Sequence, residues 1–264
     1  MSENVKRLEM EPKLCYTIWF SQRNGSSLLC EGLKSTGLVG KPEEYFHLPE
    51  NVDLLTHYGV DTYQAFQEKL WKEGTTPNGI FGVKVNAPRK ENDPLIEELR
   101  KVPGLKNPAQ ANHFEVWQNL LPNTKHLFIT RRNKIRQAVS WWKAIVSKTW
   151  HRPQGVARKY NPSDIKDRYD FAAIRHLLFE TTLREARIQD ILNQAGATSF
   201  TVVYEDFIQS YEETIRSVVN FLGVAQDDFE IAPPYFQQLA DDLSDEWTER
   251  FRKELQKDWK VMIW

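Results

Sequence analysis

The feature that most constrains the fold is an apolar run that leads straight into a polar loop and then a helix. Residues Leu14–Phe20 are apolar, β-branched or aromatic, which is typical of a strand buried on both faces. Residues 21–27 are polar, and leucines at helical spacing then lead to Gly37, a residue that favours a helix C-terminus. This order directs the free backbone N–H groups of the helix at whatever lies over the loop, and Arg23 adds positive charge. The stretch therefore indicates either a phosphate or sulfate cradle or an ordinary polar loop of an α/β protein.

The loop differs from the Walker A motif of nucleoside triphosphate enzymes. That motif places a lysine after its last glycine, whereas Gly25 is followed by Ser26 and Ser27. Two strands predicted later lead into Arg131 and Tyr204, and not into the Asp that holds Mg²⁺ in such enzymes. We therefore expect no bound metal, and a donor whose transferred group carries less charge than a phosphoryl group, as a sulfuryl group does.

Composition and charge exclude several classes of protein. The chain has 264 residues, a net charge of −1 and 41% hydrophobic residues, which is ordinary for a globular protein. The charge balance gives no support to a nucleic-acid partner, and no run reaches the ~18 apolar residues of a membrane span. Residues 1–13 are polar, so we expect a polar N-terminal tail and a single domain over residues 14–264. We expect Cys15 and Cys30 to be buried free thiols of a cytoplasmic protein.

Strand-like and helical segments alternate along the rest of the chain. Apolar runs predict strands over residues 80–85, 126–130 and 199–204. Periodic apolar residues predict helices over residues 61–72, 135–146, 171–195 and 211–221, and a last helix capped by Ser244. Residues 88–113 are predicted to be surface loop with one short helix over residues 94–101, and residues 150–169 to form a basic lid. The alternation predicts an α/β, P-loop-like domain with a central parallel sheet flanked by helices.

A second anion subsite is predicted beside the first loop. Arg131 follows its strand directly, and Ser140 lies on the polar stripe of the next helix. In parallel sheets ligands bind at the carboxyl ends of the strands, where Arg23 and Arg131 would both lie. Arginine suits bidentate phosphate binding. The alternative for each arginine is ordinary surface charge.

Stretches in order along nearly the whole chain resemble sulfotransferases that use 3′-phosphoadenosine 5′-phosphosulfate (PAPS), and more specifically the bacterial trehalose 2-sulfotransferase family. Residues 21–29 look like the 5′-phosphosulfate loop of these enzymes. The other matching stretches are residues 36–46, 77–84, 131–142, Trp150 and 244–250. Each stretch is weak alone, but their order is specific. The resemblance implies PAPS as the donor, its bisphosphate PAP as the product, and no metal.

The resemblance also implies roles for particular residues. The 5′-phosphosulfate would be held by Gln22, Arg23, Asn24, Gly25, Ser26 and Ser27, and the 3′-phosphate by Arg131 and Ser140, with Tyr204 near the adenine. Glu44 matches the family's general base. His47 and His151 are alternative bases, because many other sulfotransferases use histidine. Lys84 ends a buried strand and would contact the donor or the acceptor.

The chain departs from the trehalose-sulfating member of the family at its sugar site. Lys41 stands where that member has an acidic residue, and Val85-Asn86 stands where it has a Met-Trp pair. We therefore expect Lys41, Asn86 and Trp150 to bind a different small-molecule acceptor, namely another sugar, a glycosylated metabolite or a small polar natural product. The family enzyme is a dimer whose partner chain helps to form the sugar site, which implies a homodimer here.

Three functions are compatible with these residues. The favoured one is a sulfotransferase that passes a sulfuryl group in line to a hydroxyl or amine, without metal and with Glu44 as the base. The second is a P-loop kinase of a small molecule, against which the missing lysine after Gly25 counts. The third is a non-catalytic nucleotide-binding protein on the same fold.

Overall fold

Four parallel strands form the central sheet of the structure, a computed structural model that describes residues 11–50, 52–86, 94–224 and 228–259. The strands are β1 (Leu14–Phe20), β2 (Ile80–Asn86), β3 (Lys125–Thr130) and β4 (Ser199–Val203), in the spatial order β2-β1-β3-β4. β1 is central, because its Ile18 lies opposite Lys84 on one side and Leu127 on the other. The first ten residues of the predicted tail lie outside the described residues.

Helices flank the sheet and complete the predicted architecture. They are α1 (Ser26–Ser35), α2 (Leu54–Tyr58), α3 (Tyr63–Gly74), α4 (Pro94–Leu99), α5 (His113–Leu120), α6 (Lys134–Ser147), α7 (Phe171–Gln194), α8 (Tyr204–Gln209), α9 (Tyr211–Leu222) and α10 (Asp242–Gln256). A 3₁₀ helix, Pro162–Arg168, precedes α7. Within the described part of the chain, no helix is both long and apolar enough to cross a membrane. The prediction of an α/β fold with a central parallel sheet is confirmed.

Alternate residues of β1 pack into different cores, because successive side chains of a strand point to opposite faces. Cys15 and Trp19 join the core that α3 and α5 cover, whereas Tyr16 and Ile18 join the core that α1 and α9 cover. A third core lies between α6, α7 and α10. Cys15 and Cys30 are buried free thiols as expected, and burial raises the pKa of both.

Part of the segment predicted as surface loop belongs to the first core. Ile96 and Leu99 of α4 are buried there, together with Val102 and Ala111. The short helix predicted over residues 94–101 is present as α4, Pro94–Leu99. The predicted surface position was wrong, because charged residues and prolines between the apolar positions made the segment look like a surface loop. Residues 87–93 of the same segment lie outside the described residues.

The last helix, α10, begins two residues before the predicted cap. Its N-cap is Asp241, whose carboxylate accepts the backbone N–H of Ser244 at 3.1 Å. The Ser244 hydroxyl in turn accepts the backbone N–H of Asp241 at 3.4 Å. The two residues form a reciprocal capping box, so Ser244 takes part in the cap without being the cap residue.

Candidate active site

The loop between β1 and α1 is held in a conformation that only a glycine at position 25 allows. Gly25 has a φ of +91°, and a Cβ at this position would lie 2.5 Å from Cδ2 of Tyr204. Arg23 also takes a left-handed conformation, with a φ of +64°. The ring of Tyr204, at the end of β4, therefore lies directly against the loop. This contact brings together two of the predicted donor-binding residues, Gly25 and Tyr204.

Asn24 shapes the loop from the inside. Its side chain is fully buried, its Nδ2 donates to the carbonyl of Ile129 at 2.7 Å, and its Oδ1 accepts the backbone N–H of Ser26 at 3.3 Å. These bonds fasten the loop to the end of β3. The Asn24 side chain is thus part of the packed interior and does not line the cleft in front of the loop.

Gln22 is held from behind by side chains that no motif in the sequence indicated. Its Oε1 accepts from Nη1 of Arg184 at 2.5 Å, and its carbonyl accepts from Nε2 of Gln137 at 2.7 Å. The Arg184 guanidinium lies 5.0 Å from the ring centroid of Trp141. Gln22 therefore connects the loop to α6 and α7, and its side-chain oxygen is already engaged.

A buried carboxylate, Glu185, lies beneath the same loop. It accepts hydrogen bonds from Ser21 Oγ at 2.7 Å, from Thr130 Oγ1 at 2.6 Å and from Lys134 Nζ at 2.5 Å. One carboxylate thus ties the ends of β1 and β3 to α6 and α7. The signal in the sequence was two charged residues, Arg184 and Glu185, on the apolar face of a long helix, where charge is rare unless it is paired.

Two arginines meet at the front of the loop. Arg23 Nε donates to Ser140 Oγ at 3.2 Å, and Arg131 Nη1 donates to the carbonyl of Arg23 at 3.4 Å. The Arg131 guanidinium lies 4.7 Å from the ring centroid of Tyr204, and its Nε is 3.6 Å from Glu205 Oε1. The predicted pairing of the first loop with Arg131, Ser140 and Tyr204 is therefore present in the geometry.

The charge of this arginine pair is only partly compensated. Arg131 is 8% exposed, and among the described residues its Nε has no hydrogen-bond partner. Burial lowers the pKa of Arg131, and burial together with the charge of Arg131 lowers the pKa of Arg23 to about 10. Like charges in a partly buried site disfavour each other, so an anion bound between Arg23 and Arg131 would stabilise both.

Further basic side chains line the same cleft. The cleft contains Arg23, Arg131, Arg136, Lys143 and Arg152, with Ser26, Ser27, Ser140 and Tyr204 between them. Lys143 pairs with Asp241 and donates to Ser244 Oγ at 2.8 Å, which closes one end of the cleft with the cap of α10. Arg158 binds the other oxygen of Asp241 at 2.9 Å. The cleft is therefore suited to a ligand with more than one anionic group.

A second cluster lies at the end of β2. Lys84 Nζ pairs with Glu44 Oε1 at 2.7 Å and donates to Ser27 Oγ at 3.0 Å. The same Nζ lies 4.8 Å from the ring centroid of Phe20. The Lys84 side chain is 6% exposed, whereas that of Glu44 is 40% exposed. The backbone N–H of Lys84 donates to the carbonyl of Glu43 at 2.9 Å, which holds Glu44 beside the strand. Lys84 thus links the predicted base to the predicted donor loop.

Of the other predicted site residues, Asn86 lies at the end of β2, whereas Lys41 and His47 lie on the surface. Asn86 ends β2 at the same sheet edge, and its buried Oδ1 has no hydrogen-bond partner within the described chain. Lys41 and His47 are exposed, and in the described part of the chain neither side chain makes a hydrogen bond or ion pair. His47 follows Glu44 in one turn, since its N–H donates to the Glu44 carbonyl at 2.9 Å. The structure does not bring Lys41 or His47 into contact with Lys84.

The predicted lid forms the outer wall of the cleft. The Trp150 carbonyl accepts a hydrogen bond from Arg23 Nη1, and the Trp150 side chain is 43% exposed. The backbones of residues 152–154 and 235–237 pair through two hydrogen bonds of 2.9 Å. The segment is thus attached to the donor loop at one end, and whether it moves on ligand binding stays a prediction.

Comparison with known proteins decides between the three functions. The model of the Stf0 sulphotransferase family matches residues 15–254. The chain belongs to the Stf0 sulphotransferase family. The trehalose 2-sulfotransferase of Mycolicibacterium smegmatis is 27% identical over 272 aligned positions, covering 92% of this chain and 96% of that protein. The trehalose 2-sulfotransferase of Mycobacterium tuberculosis is 25% identical, covering 90% and 94%.

Solved structures add no further argument. The crystal structure of a sulfotransferase from Alicyclobacillus acidocaldarius covers 92% of both chains at 14% identity, with a TM-score of 0.49, which is too low to support an inference. The family match confirms the resemblance seen in the sequence. This member of the Stf0 family is a sulfotransferase enzyme, and the kinase and non-catalytic alternatives are set aside.

Proposed function

We propose that this sulfotransferase uses PAPS as its donor and transfers the sulfuryl group, without metal, to a hydroxyl or amine of a small polar acceptor. The observation that carries the proposal is the meeting of two arginines in one cleft, half-buried Arg23 and buried Arg131. Arg131 has Glu205 as an ion-pair partner at 3.6 Å, but its Nε makes no hydrogen bond within the described residues. PAPS carries anionic groups at both its 5′ and 3′ ends. Two anion subsites side by side fit a donor of this kind better than one with a single phosphate.

The donor site is assigned to the residues that line the cleft. Ser26, Ser27 and the backbone N–H groups at the start of α1 would bind the 5′-phosphosulfate, with Arg23 above them. Arg131 and Ser140 would bind the 3′-phosphate, and the Tyr204 ring would lie against the base. Gln22 and Asn24 would act by shaping the loop, since their side chains bind Arg184 and Ile129.

The Glu44 and Lys84 pair would carry the chemistry. The donor supplies the sulfuryl group, and the bisphosphate is its leaving group. The Glu44 carboxylate would take the proton of the acceptor hydroxyl as the new oxygen–sulfur bond forms. Lys84 Nζ, 2.7 Å from Glu44 Oε1 and 3.0 Å from Ser27 Oγ, would stabilise the charge that develops on the leaving side.

The acceptor is proposed to differ from trehalose, the sugar that gives both relatives their names. The buried Oδ1 of Asn86, which has no hydrogen-bond partner in the described residues, offers one acceptor contact at the end of β2. Lys41 and Trp150 are exposed, and either could contact an acceptor. The homodimer and the cytoplasmic location stay predictions, the first to be checked by light scattering.

The test is sulfation of a panel of sugars and glycosides with PAPS, followed by mass spectrometry of the acceptor and by PAP release. We expect PAP release that requires an acceptor and is unchanged by a chelator of divalent cations. Phosphorylation of an acceptor from ATP·Mg²⁺ by the same protein, with no use of PAPS, would contradict the proposal.

A further inference from the structure

Large apolar side chains are exposed on two paired segments beside the cleft. Trp150, Val156 and Tyr235 are 43%, 44% and 51% exposed. They lie on two segments that pair with each other, residues 150–156 and 235–237. The rings of His151 and Phe236 are 5.0 Å apart between centroids, and the Tyr235 ring is 4.9 Å from that of Phe236. We call these five side chains the aromatic wall.

Three members of the aromatic wall line the same cleft as the donor loop. Trp150, His151 and Phe236 line this cleft together with Ser27, the residue whose hydroxyl binds Lys84. Partial burial and the positive charges of Arg23 and Lys84 lower the pKa of His151 to about 4, against the opposing effect of Glu44. At neutral pH the imidazole is therefore an uncharged ring beside Phe236, close to the reacting pair.

Exposed apolar groups of this size are costly unless a ligand covers them. Scattered single residues are ordinary on a protein surface, whereas a contiguous group at the edge of a cleft is typical of a binding site. Aromatic rings favour stacked or edge contacts with other flat or apolar groups.

On the basis of the proposed function, we infer that the natural acceptor is amphipathic. It carries an aromatic or aliphatic group that packs on the aromatic wall while its hydroxyl meets Glu44. In this arrangement His151 acts as part of the packing surface, and the proton is taken by Glu44. Specificity then depends on the group attached to the sugar or alcohol as well as on the hydroxyls.

The test compares two probes that differ only in the attached group, phenyl β-glucoside and methyl β-glucoside. Their binding to the protein saturated with PAP is measured by calorimetry. We expect the phenyl compound to bind at least about tenfold more tightly, the scale of one aromatic contact plus its apolar burial. Phe236→Ala should remove most of this preference, and Tyr235→Ser should reduce it.

Two further variants separate packing from other roles. Phe179→Ala removes a ring that is 55% exposed on α7, outside the cleft, and should leave the preference unchanged. His151→Phe keeps a ring at this position and should preserve the preference for the phenyl compound. Loss of this preference in His151→Phe would show that the imidazole does more than pack against the attached group, and would overturn the packing role.

The remaining outcomes also decide the matter. Equal binding of the two glucosides, or binding of neither to the PAP complex, would overturn the inference while leaving the proposed donor intact. A change from dimer to monomer in Tyr235→Ser, with an unchanged ratio between the probes, would assign the aromatic wall to a second copy of the chain instead. Failure of PAP itself to bind would overturn the proposed function, and this inference with it.

Discussion

Replacing Glu44 by Gln tests the assignment of the general base. General base catalysis contributes about 10²–10⁴-fold to the rate, which corresponds to about 3–5 kcal/mol in the activation free energy. The amide has the same size as the carboxylate, and its oxygen still offers Lys84 Nζ a hydrogen-bond partner at a site where the two groups lie 2.7 Å apart. We therefore expect Glu44→Gln to lower kcat by about 10²–10⁴-fold.

The effect on the rest of the molecule should be small. The Glu44 side chain is 40% exposed, and loss of an ion pair at such a site costs less than about 1 kcal/mol. A change of less than about 1 kcal/mol in the free energy of PAP binding corresponds to less than about a fivefold change in the Kd for PAP. Unchanged donor affinity with a large loss of kcat is the result expected of a group that acts in the transition state and not in donor binding.

The assay is single-turnover sulfation of the best acceptor, with PAP affinity and the melting temperature measured on the same samples. Glu43→Gln is the matched control, because Glu43 is the neighbour of Glu44 in the sequence. The Glu43 side chain is 55% exposed and pairs with Lys34. The control should keep its kcat within about threefold. If Glu44→Gln keeps a normal kcat, or if its PAP affinity falls tenfold with little change in kcat, the assignment of Glu44 is wrong.

Three other predictions concern the loop and the core. Gly25→Ala should raise the Kd for PAP about tenfold or more, because a φ of +91° costs an alanine about 1–2 kcal/mol and the new Cβ displaces the Tyr204 ring. Gly37→Ala is the control in the same calorimetric measurement, since Gly37 also has a positive φ, +67°, but has open space around it. Glu185→Ala should lower the free energy of unfolding in urea by about 3 kcal/mol, since it leaves buried Ser21 and half-buried Thr130 and Lys134 without their carboxylate. A loss below about 0.5 kcal/mol would refute this. Burial lowers the pKa of His126 to about 4, so the unfolded chain takes up the proton first as the pH falls, and up to about 3 kcal/mol of stability should be lost between about pH 6.5 and 4. This slope should flatten in His126→Gln.

The first strand, loop and helix could be predicted because all of their signals are local. The apolar run of β1, the polar turn at Gly25 and the leucines of α1 lie within one short stretch, and the observed bounds, Leu14–Phe20 and Ser26–Ser35, agree with it. The meeting of Arg23 with Arg131 was also within reach, because strand order places both at the same sheet edge. The hydrogen-bond partners of these two arginines could not be predicted from the sequence.

What supports the loop from behind depends on contacts between distant parts of the chain. Arg184 and Glu185 reach Gln22 and Ser21 over more than 160 residues of sequence. Single-sequence patterns show only that charge lies on the inner face of α7, and not which group it pairs with. The pairing of residues 152–154 with 235–237 is hidden for the same reason, because neither segment carries a strand pattern.

The family match leaves the identity of the donor as the central proposal, and binding of PAP tests it most directly. Calorimetry should compare PAP with 5′-AMP and with ATP·Mg²⁺ on the wild type, on Arg131→Ala and on Arg132→Ala. Arg132 is the matched control, because its side chain is 58% exposed and pairs with Asp206 outside the cleft.

We predict that PAP binds at least about a hundredfold more tightly than 5′-AMP, the scale of two charge-assisted hydrogen bonds to the 3′-phosphate. Arg131→Ala should abolish this difference, and Arg132→Ala should preserve it. Equal affinity for PAP and 5′-AMP in the wild type, or tighter binding of ATP·Mg²⁺, would contradict the assignment of the two anion subsites.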